Sequence, residues 1–164
     1  GIKTDYLWRE ILTKNSITNI LQNFCQLITE EKEYIDEKGK VKTRKEKKLL
    51  FPRYHQLVAV RELLKNAQEN AAGKKYLIQH SAGSGKSNSI SWLAHQLVGL
   101  HNKSGDSNIF DTVIVVTDRR VLDAQIRNNI KQFQQVNGVV EAITEGSKQL
   151  KQALEEGKKI IKNG

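Results

Sequence analysis

The residue types that most clearly predict chemistry lie in a glycine-rich turn. This turn stands between an apolar segment and a helix-forming segment. It reads His80-Ser-Ala-Gly-Ser-Gly-Lys-Ser87. Gly83 and Gly85 can adopt positive φ, which lets the backbone approach a polyphosphate with successive N–H groups pointing at its oxygens. The segment from Asn88 to Leu100 predicts a helix whose positive N-terminal end lies under those phosphates. We therefore predict a phosphate-binding loop.

Individual residues of this loop have distinct predicted roles. Lys86 would place its ammonium at the β- and γ-phosphates of ATP and Ser87 would ligate Mg²⁺, so both are candidate catalytic residues. His80 stands where the general pattern has its first glycine, which we interpret as the mark of a subfamily. A dinucleotide-binding loop is excluded because its third glycine would fall at Asn88, and the remaining alternative is a Gly/Ser-rich turn with a lysine by chance. The predicted nucleotide-contacting stretch of the loop is Ala82, Gly83, Ser84, Gly85, Lys86 and Ser87.

The charge balance favours a polyanionic partner. The 164 residues contain 27 basic and 18 acidic side chains, a formal net charge of +9, and such an excess is typical of proteins that bind nucleic acid. Between Lys38 and Lys48, seven basic side chains face only Glu46, so we expect most of the net charge in this segment. The run is typical of a solvated hairpin or mobile linker, and contact with a nucleic-acid backbone is the alternative.

Composition argues against several other classes of protein. Cys25 is the single cysteine, so it has no disulfide partner and is expected to be buried. We expect a cytoplasmic protein with no membrane partner, because neither a signal peptide nor an apolar run of membrane length is present. The four histidines lack metal-ligand spacing, which predicts no structural metal. The absence of methionine indicates an excerpt from a longer polypeptide, or a sequence from which modified residues were dropped.

The N-terminal part of the chain predicts helices followed by a hairpin. The segments Asp5 to Leu12 and Ser16 to Thr29 are expected to be helical, the second with Ser16 as its N-cap. From Glu33 to Phe51 we expect extended chain that folds back at Asp36-Glu-Lys-Gly39, a hairpin with basic arms.

The remainder of the chain alternates strands with helices. A helix is expected from Arg53 to Ala71, then a strand from Tyr76 to His80 that leads into the glycine-rich loop. Such alternation predicts a parallel sheet covered by helices, with ligands at the carboxyl ends of the strands. We predict an α/β protein with two parts, a connector at 1–51 and the loop-bearing part at 52–164. Further strands are expected at 112–117, 138–143 and 158–161, and further helices at 121–133 and 147–156.

Asp118 ends one of these strands and has two interpretations. It could be the Mg²⁺-binding aspartate of a Walker B motif, although a glutamate would then follow and Arg119 follows instead. Otherwise it shapes a strand-to-helix turn that presents Arg119 and Arg120 to the phosphates of a nucleic acid.

Four stretches of the chain together resemble a known family. They are Asp5-Tyr-Leu-Trp-Arg-Glu-Ile-Leu12, Arg53-Tyr-His-Gln-Leu-Val-Ala-Val60, His80-Ser-Ala-Gly-Ser-Gly-Lys-Ser87 and Val115-Val-Thr-Asp-Arg-Arg-Val-Leu-Asp-Ala-Gln125. The sequence is similar to the R subunit of type I restriction enzymes, a superfamily 2 motor joined to a nuclease. The last stretch resembles the D-R-x-x-L-D-x-Q block of helicase motif Ia, which assigns Arg119 and Arg120 to DNA binding. The implied fold is a three-layer P-loop NTPase (RecA-like) sheet, present as a partial first motor lobe.

The resemblance also gives a role to the Tyr-His-Gln element, which is similar to the adenine-reading Q motif of helicases. Gln56 would bond the adenine edge, for which its amide offers a donor and an acceptor. Tyr54 or Arg53 would pack near the base. The alternative is a cluster at a helix start with Gln56 simply exposed.

The implied activity is translocation along duplex DNA driven by ATP and Mg²⁺, coupled to DNA cleavage. The implied partners are duplex DNA and the methylation and specificity subunits. The nuclease carboxylates, the Walker B pair, the arginine finger and the second motor lobe are expected outside residues 1–164, so we expect this chain alone to be inactive. The alternatives are a DNA-binding or assembly fragment without ATP chemistry, another superfamily 2 ATPase, and a small-molecule kinase.

Overall fold

The structure is a computed structural model that describes residues 4–117, 124, 126–130, 140–143, 147–155 and 161–163. The chain divides into two compact units, Gly1–Pro52 and Arg53–Gly164. No helix in the described part of the chain is long and apolar enough to cross a membrane. The same residues contain no group of three or more His, Cys, Asp or Glu side chains placed to hold a metal ion.

The first unit opens with a π-helical turn, Leu7–Ile11, followed by helix α1, Lys14–Asn23. The predicted N-cap is wrong by three residues. Thr13 has extended backbone and its side chain accepts a hydrogen bond from the Ser16 N–H at 3.4 Å, so Thr13 caps the helix.

The helix predicted to continue to Thr29 ends instead at Asn23, because a strand begins at Gln26. Leu27 and Ile28 continue the helical spacing of the apolar residues, and this misled the prediction. In the structure they belong to a ladder of ten residue pairs, whose inter-strand hydrogen bonds fix the strand conformation.

Strands β1 (Gln26–Ile35) and β2 (Val41–Leu50) form a two-stranded antiparallel ribbon, which confirms the predicted hairpin. The carboxylate of Asp36 shapes the turn, since its Oδ1 accepts from the N–H groups of Lys38 and Lys40, both at 2.9 Å. Gly39 supplies the positive φ of +73° that the turn requires.

The charges of the ribbon are more balanced than the sequence run suggested. Strand β1 contributes glutamates opposite the basic strand β2, so residues 26–50 hold eight basic and six acidic side chains. On one face of the ribbon, Lys48 pairs with Glu30 at 3.5 Å and Lys32 pairs with Glu46 at 3.6 Å. The segment 38–48 by itself holds seven basic side chains and one acidic one, as expected, but with its partner strand the ribbon has a net charge of only +2.

The second unit is built around two helices that pack against each other, α2 (Tyr54–Asn70) and α3 (Lys86–Val98). Leu57 and Val60 of α2 are buried, as is Trp92 of α3. Another part of α3 packs on strand β3 (Val113–Val115) and on the helical residues 126–130. That core comprises Ala94, Val115, Ile126 and Ile130, with Val98 and Val113 packed against it.

Three short strands form a parallel sheet in this unit. Strands β4 (Val140–Ala142) and β5 (Ile161–Asn163) join β3 in the spatial order β3-β5-β4. Helix α4 spans Ser147–Glu155.

The strand predicted at Tyr76–His80 is not formed, and this segment is irregular. A strand needs a neighbour to complete its hydrogen bonds, and no ladder to this segment occurs among the described residues. The apolar side chain of Leu77 is 94% exposed. The three-layer P-loop sheet therefore stays a prediction.

Candidate functional site

The glycine-rich loop turns sharply into the start of α3. Gly83 and Gly85 have φ of +71° and +81°, so both occupy the left-handed region that the sequence analysis assigned to them. Gly85 is the N-cap of α3, and Lys86 and Ser87 are its first two residues. The N–H groups in the first turn of a helix lack intrahelical acceptors and attract anions. The local backbone therefore fits a phosphate group.

Lys86 folds back over its own loop. Its Nζ donates to the carbonyl oxygens of Ser81 at 2.9 Å and His80 at 3.2 Å, and the side chain is exposed. The ammonium thus lies on the loop while remaining accessible from solvent. Moving it onto a phosphate would exchange two neutral acceptors for a charged one, which makes a stronger hydrogen bond.

Residues in the first turn of α2 donate hydrogen bonds to carbonyl groups of the loop. Gln56 is 3% exposed, and its Nε2 donates to the Gly85 oxygen at 2.9 Å and to the Ser84 oxygen at 3.3 Å. Its Oε1 accepts from the Arg53 N–H at 2.8 Å, which caps α2. The interpretation that Gln56 is simply exposed is therefore wrong. The predicted contact of Gln56 with adenine stays a prediction. In the structure, the same amide donates its hydrogen bonds to carbonyl groups of the loop.

His55 is a site residue to which the sequence analysis gave no role. Its Nε2 lies 3.1 Å from the Ser84 oxygen, and because a carbonyl only accepts, Nε2 carries the proton. Its ring meets the ring of His80 edge to face, with the centroids 4.9 Å apart. This contact gives the histidine at the first-glycine position of the loop a packing role.

The other residues predicted to contact a nucleotide differ in their exposure to solvent. Ala82 is exposed, Ser84 is buried and Ser87 is half-buried. Arg53 and Tyr54 are exposed at the start of α2, where they remain accessible to a base. The predicted DNA-binding pair, Arg119 and Arg120, lies outside the described residues, as does Asp118.

A side-chain hydrogen bond joins the start of α3 to the helical residues 126–130. Asn129 Nδ2 donates to Asn88 Oδ1 at 2.9 Å, and both residues are half-buried. The two residues are 41 positions apart, so no local pattern in the sequence could have indicated the contact.

The far end of α3 carries a histidine in its last turn, His95. Burial lowers the pKa of His95 below its ordinary value of 6.5. Burial therefore favours the neutral form of this side chain, and the other basic residue of α3 is Lys86, at the opposite end of the helix.

Comparison with known proteins identifies the family. The family model of the SWI2/SNF2 ATPase matches residues 55–163, roughly two thirds of the chain. Searches of curated proteins and of solved structures return no match. The matched range begins at His55, so it includes Gln56 and the whole loop but neither Arg53 nor Tyr54. This chain belongs to the SWI2/SNF2 ATPase family, and hence to the superfamily 2 helicase-like ATPases.

Proposed function

We propose that the loop binds the polyphosphate of ATP together with Mg²⁺ and that the chain is part of an ATP-driven DNA translocase. One observation carries this proposal. The two positive-φ glycines, the N-terminus of α3 and the Lys86 ammonium meet in one turn of a domain that belongs to an ATPase family. This donor set is suited to a polyanion and offers it backbone N–H groups and a cation together.

Each residue of the turn has a role in this proposal. Gly83 and Gly85 let the backbone approach the phosphates, and Lys86 leaves the carbonyls of its own loop to contact the β- and γ-phosphates. Ser87 offers its hydroxyl to Mg²⁺ at the first turn of α3. Bound ATP supplies the phosphoryl group whose transfer to water provides the free energy for movement.

The finer proposal is that the complete protein is the R subunit of a type I restriction enzyme. It is supported by the motif Ia-like block at residues 115–125, by the Tyr-His-Gln element that begins at Tyr54, and by the family match. In this proposal Arg119 and Arg120 contact the phosphates of duplex DNA. Cleavage belongs to a nuclease in the same polypeptide, and the methylation and specificity subunits are partners.

The test is displacement of a triplex-forming oligonucleotide from duplex DNA by the protein that carries this sequence, assembled with its methylation and specificity subunits. We expect displacement that requires ATP and both partner subunits, followed by DNA cleavage. Lys86→Ala should abolish it, whereas Lys74→Ala, a matched change of an exposed lysine in the same unit, should not. Displacement without the partner subunits or without cleavage would instead assign the chain to another superfamily 2 motor.

A further inference from the structure

The start of α3 is joined to a second element of its unit by a side-chain hydrogen bond. Asn88 is the third residue of α3 and follows Ser87, the proposed ligand of Mg²⁺. Its Oδ1 accepts from Asn129 Nδ2 at 2.9 Å, and both residues are half-buried. The Asn88 amide also lies beside the loop, because a Cβ built on Gly85 would come 4.0 Å from its Nδ2. Continuous contacts therefore lead from the glycine-rich turn to the helical residues 126–130.

Apolar contacts hold the same two elements together. Ile126 and Ile130 are fully buried in a cluster with Ala94 of α3. Ile126, Asn129 and Ile130 are three and four positions apart, so they lie on one helical face. Apolar burial is non-directional, whereas a hydrogen bond depends on distance and angle. The bond between Asn88 and Asn129 is therefore a contact whose strength changes when the start of α3 shifts or loosens.

A nucleotide in the proposed site changes the order of Asn88. The first N–H groups of a helix lack intrahelical acceptors, and helix ends fray. In the proposed complex the phosphates accept from these N–H groups, which orders the first turn of α3 and Asn88 with it. Asn129 then bonds to a fixed partner, so forming the bond costs less conformational entropy.

Asn129 is close in the chain to the proposed DNA contact. The motif Ia-like block occupies residues 115–125, and the helical residues 126–130 follow it directly. Duplex DNA held by this block restricts the residues that carry Asn129. Each ligand thus orders one partner of the same hydrogen bond, because the nucleotide acts on Asn88 and the DNA acts on Asn129.

On the basis of the proposed function, we propose that Asn129 is a positioning residue whose hydrogen bond to Asn88 couples nucleotide binding to duplex DNA binding. Because both ligands order the bond, each raises the affinity for the other, and thermodynamic linkage makes the two factors equal. Loss of a contact that only stabilises the fold would change the affinities with and without the second ligand alike, and this factor would stay the same.

The experiment measures the factor by calorimetry on the chain, as the ratio of Mg-ADP affinities with and without saturating duplex DNA. The unmodified chain should bind Mg-ADP more tightly when DNA is present. Asn129→Leu keeps the side-chain size but removes the donor, and it should reduce the factor about twofold to tenfold, as expected for the loss of one neutral hydrogen bond. Asn102→Leu is the matched control and should leave the factor unchanged. Asn102 is also half-buried, and its Nδ2 donates to the Ser107 hydroxyl in its own loop at 3.1 Å.

Asn129→Ser covers the case in which the leucine variant does not fold, which thermal melting will show. Its side chain stays polar but is too short to reach Asn88, so we expect a similar reduction. Asn88→Leu combined with Asn129→Leu should reduce the factor no further than either change alone, because both changes remove the same bond.

Two results would overturn the coupling while leaving both binding sites intact. One is a factor that is unchanged in both Asn129 variants, and the other is a factor of one or less in the unmodified chain. If the unmodified chain binds no Mg-ADP or no duplex DNA, the proposed function itself is wrong and the coupling with it.

Discussion

Gly85 is constrained both by its backbone conformation and by its neighbour. Its φ of +81° disfavours any residue with a Cβ, and the Gln56 amide occupies the space that the Cβ would enter. Gly83 has a similar φ of +71°, but a Cβ added there would meet nothing within 4 Å. Alanine substitutions at the two glycines therefore distinguish the effect of backbone strain from the effect of a steric clash.

We predict that Gly85→Ala weakens Mg-ADP binding more than Gly83→Ala does. Left-handed strain costs about 1–2 kcal/mol at either position, and only Gly85→Ala also displaces Gln56. Calorimetric affinities together with thermal unfolding of both variants will measure the difference. The double variant Gly85→Ala/Gln56→Ala should lose less stability than the two single changes added together, because the clash disappears. Equal effects of the two single glycine changes would show that the contact with Gln56 is unimportant.

At the same residue scale, the sequence was sufficient to predict the glycine-rich turn and the helix that follows it, but not the contacts that support the turn. The spacing of Gly83, Gly85 and Lys86 predicted the turn and the start of α3, because these properties depend on neighbouring residues. The contact of Gln56 with the loop joins residues 28 and 29 positions apart. Such a contact depends on how α2 packs on α3, which a local pattern does not specify.

At the scale of elements, the β1–β2 ribbon owes its turn to one carboxylate. The backbone N–H of Lys40 lowers the pKa of Asp36 below its ordinary value of 3.8, and the Lys42 ammonium and the Lys38 N–H act in the same direction. A lowered pKa in the folded state means that the charged carboxylate stabilises the turn above pH 3.8, and that this contribution is lost as the pH falls through the lowered pKa.

We predict that the amide resonances of Lys38 and Lys40 shift together in an acid titration with a midpoint below pH 3.8. Asp36→Asn keeps an acceptor oxygen for both amides but cannot titrate, so it should abolish this shared transition while leaving the turn formed. NMR spectroscopy on the chain and on this variant provides the measurement. A midpoint at or above pH 3.8 would contradict the hydrogen bonds from Lys40 and Lys38 to Asp36 and its pairing with Lys42.

Elements were predicted well where local and tertiary preferences agree, and wrongly where they conflict. Helices α2 and α3 have apolar faces that pack on each other, so the helical spacing also served the tertiary structure. Leu27 fits the helical spacing of α1 but lies in β1, where the cross-strand ladder outweighs local propensity. The segment Tyr76–His80 has the apolar composition of a strand without a ladder to hold it in that conformation.

On the scale of the whole molecule, the basic surplus lies mainly in the second unit. Residues 53–164 hold sixteen basic and ten acidic side chains, whereas the ribbon nearly balances its own charges. Surface ion pairs such as Lys48 with Glu30 contribute at most about 1 kcal/mol to stability. They do, however, reduce the positive potential that the ribbon presents to a polyanion.

We predict that duplex DNA binding weakens steeply with salt and depends more on Arg119 and Arg120 than on the ribbon. Each phosphate contact contributes about −0.9 to the slope of log affinity against log salt. Replacing Arg119 and Arg120 with alanine should reduce the steepness of the slope more than replacing Lys45 and Lys47. These two lysines are the matched control, and they lie on the face of the ribbon opposite the Lys48–Glu30 pair. Binding across a salt series is the measurement. The reverse order would place the DNA contact on the ribbon.

The turn from Gly83 to Ser87 is central to the proposed function, because every role assigned to the site requires it to bind the phosphates of a nucleotide. Calorimetric titration of the folded chain with Mg-ATP tests this directly when Lys86→Ala is measured beside the unmodified chain. We predict saturable binding that weakens roughly tenfold or more in the variant, because a charge-assisted hydrogen bond worth about 1.5–3 kcal/mol is lost. Equal affinity in the two proteins, or no binding by the unmodified chain, would contradict phosphate binding by this turn.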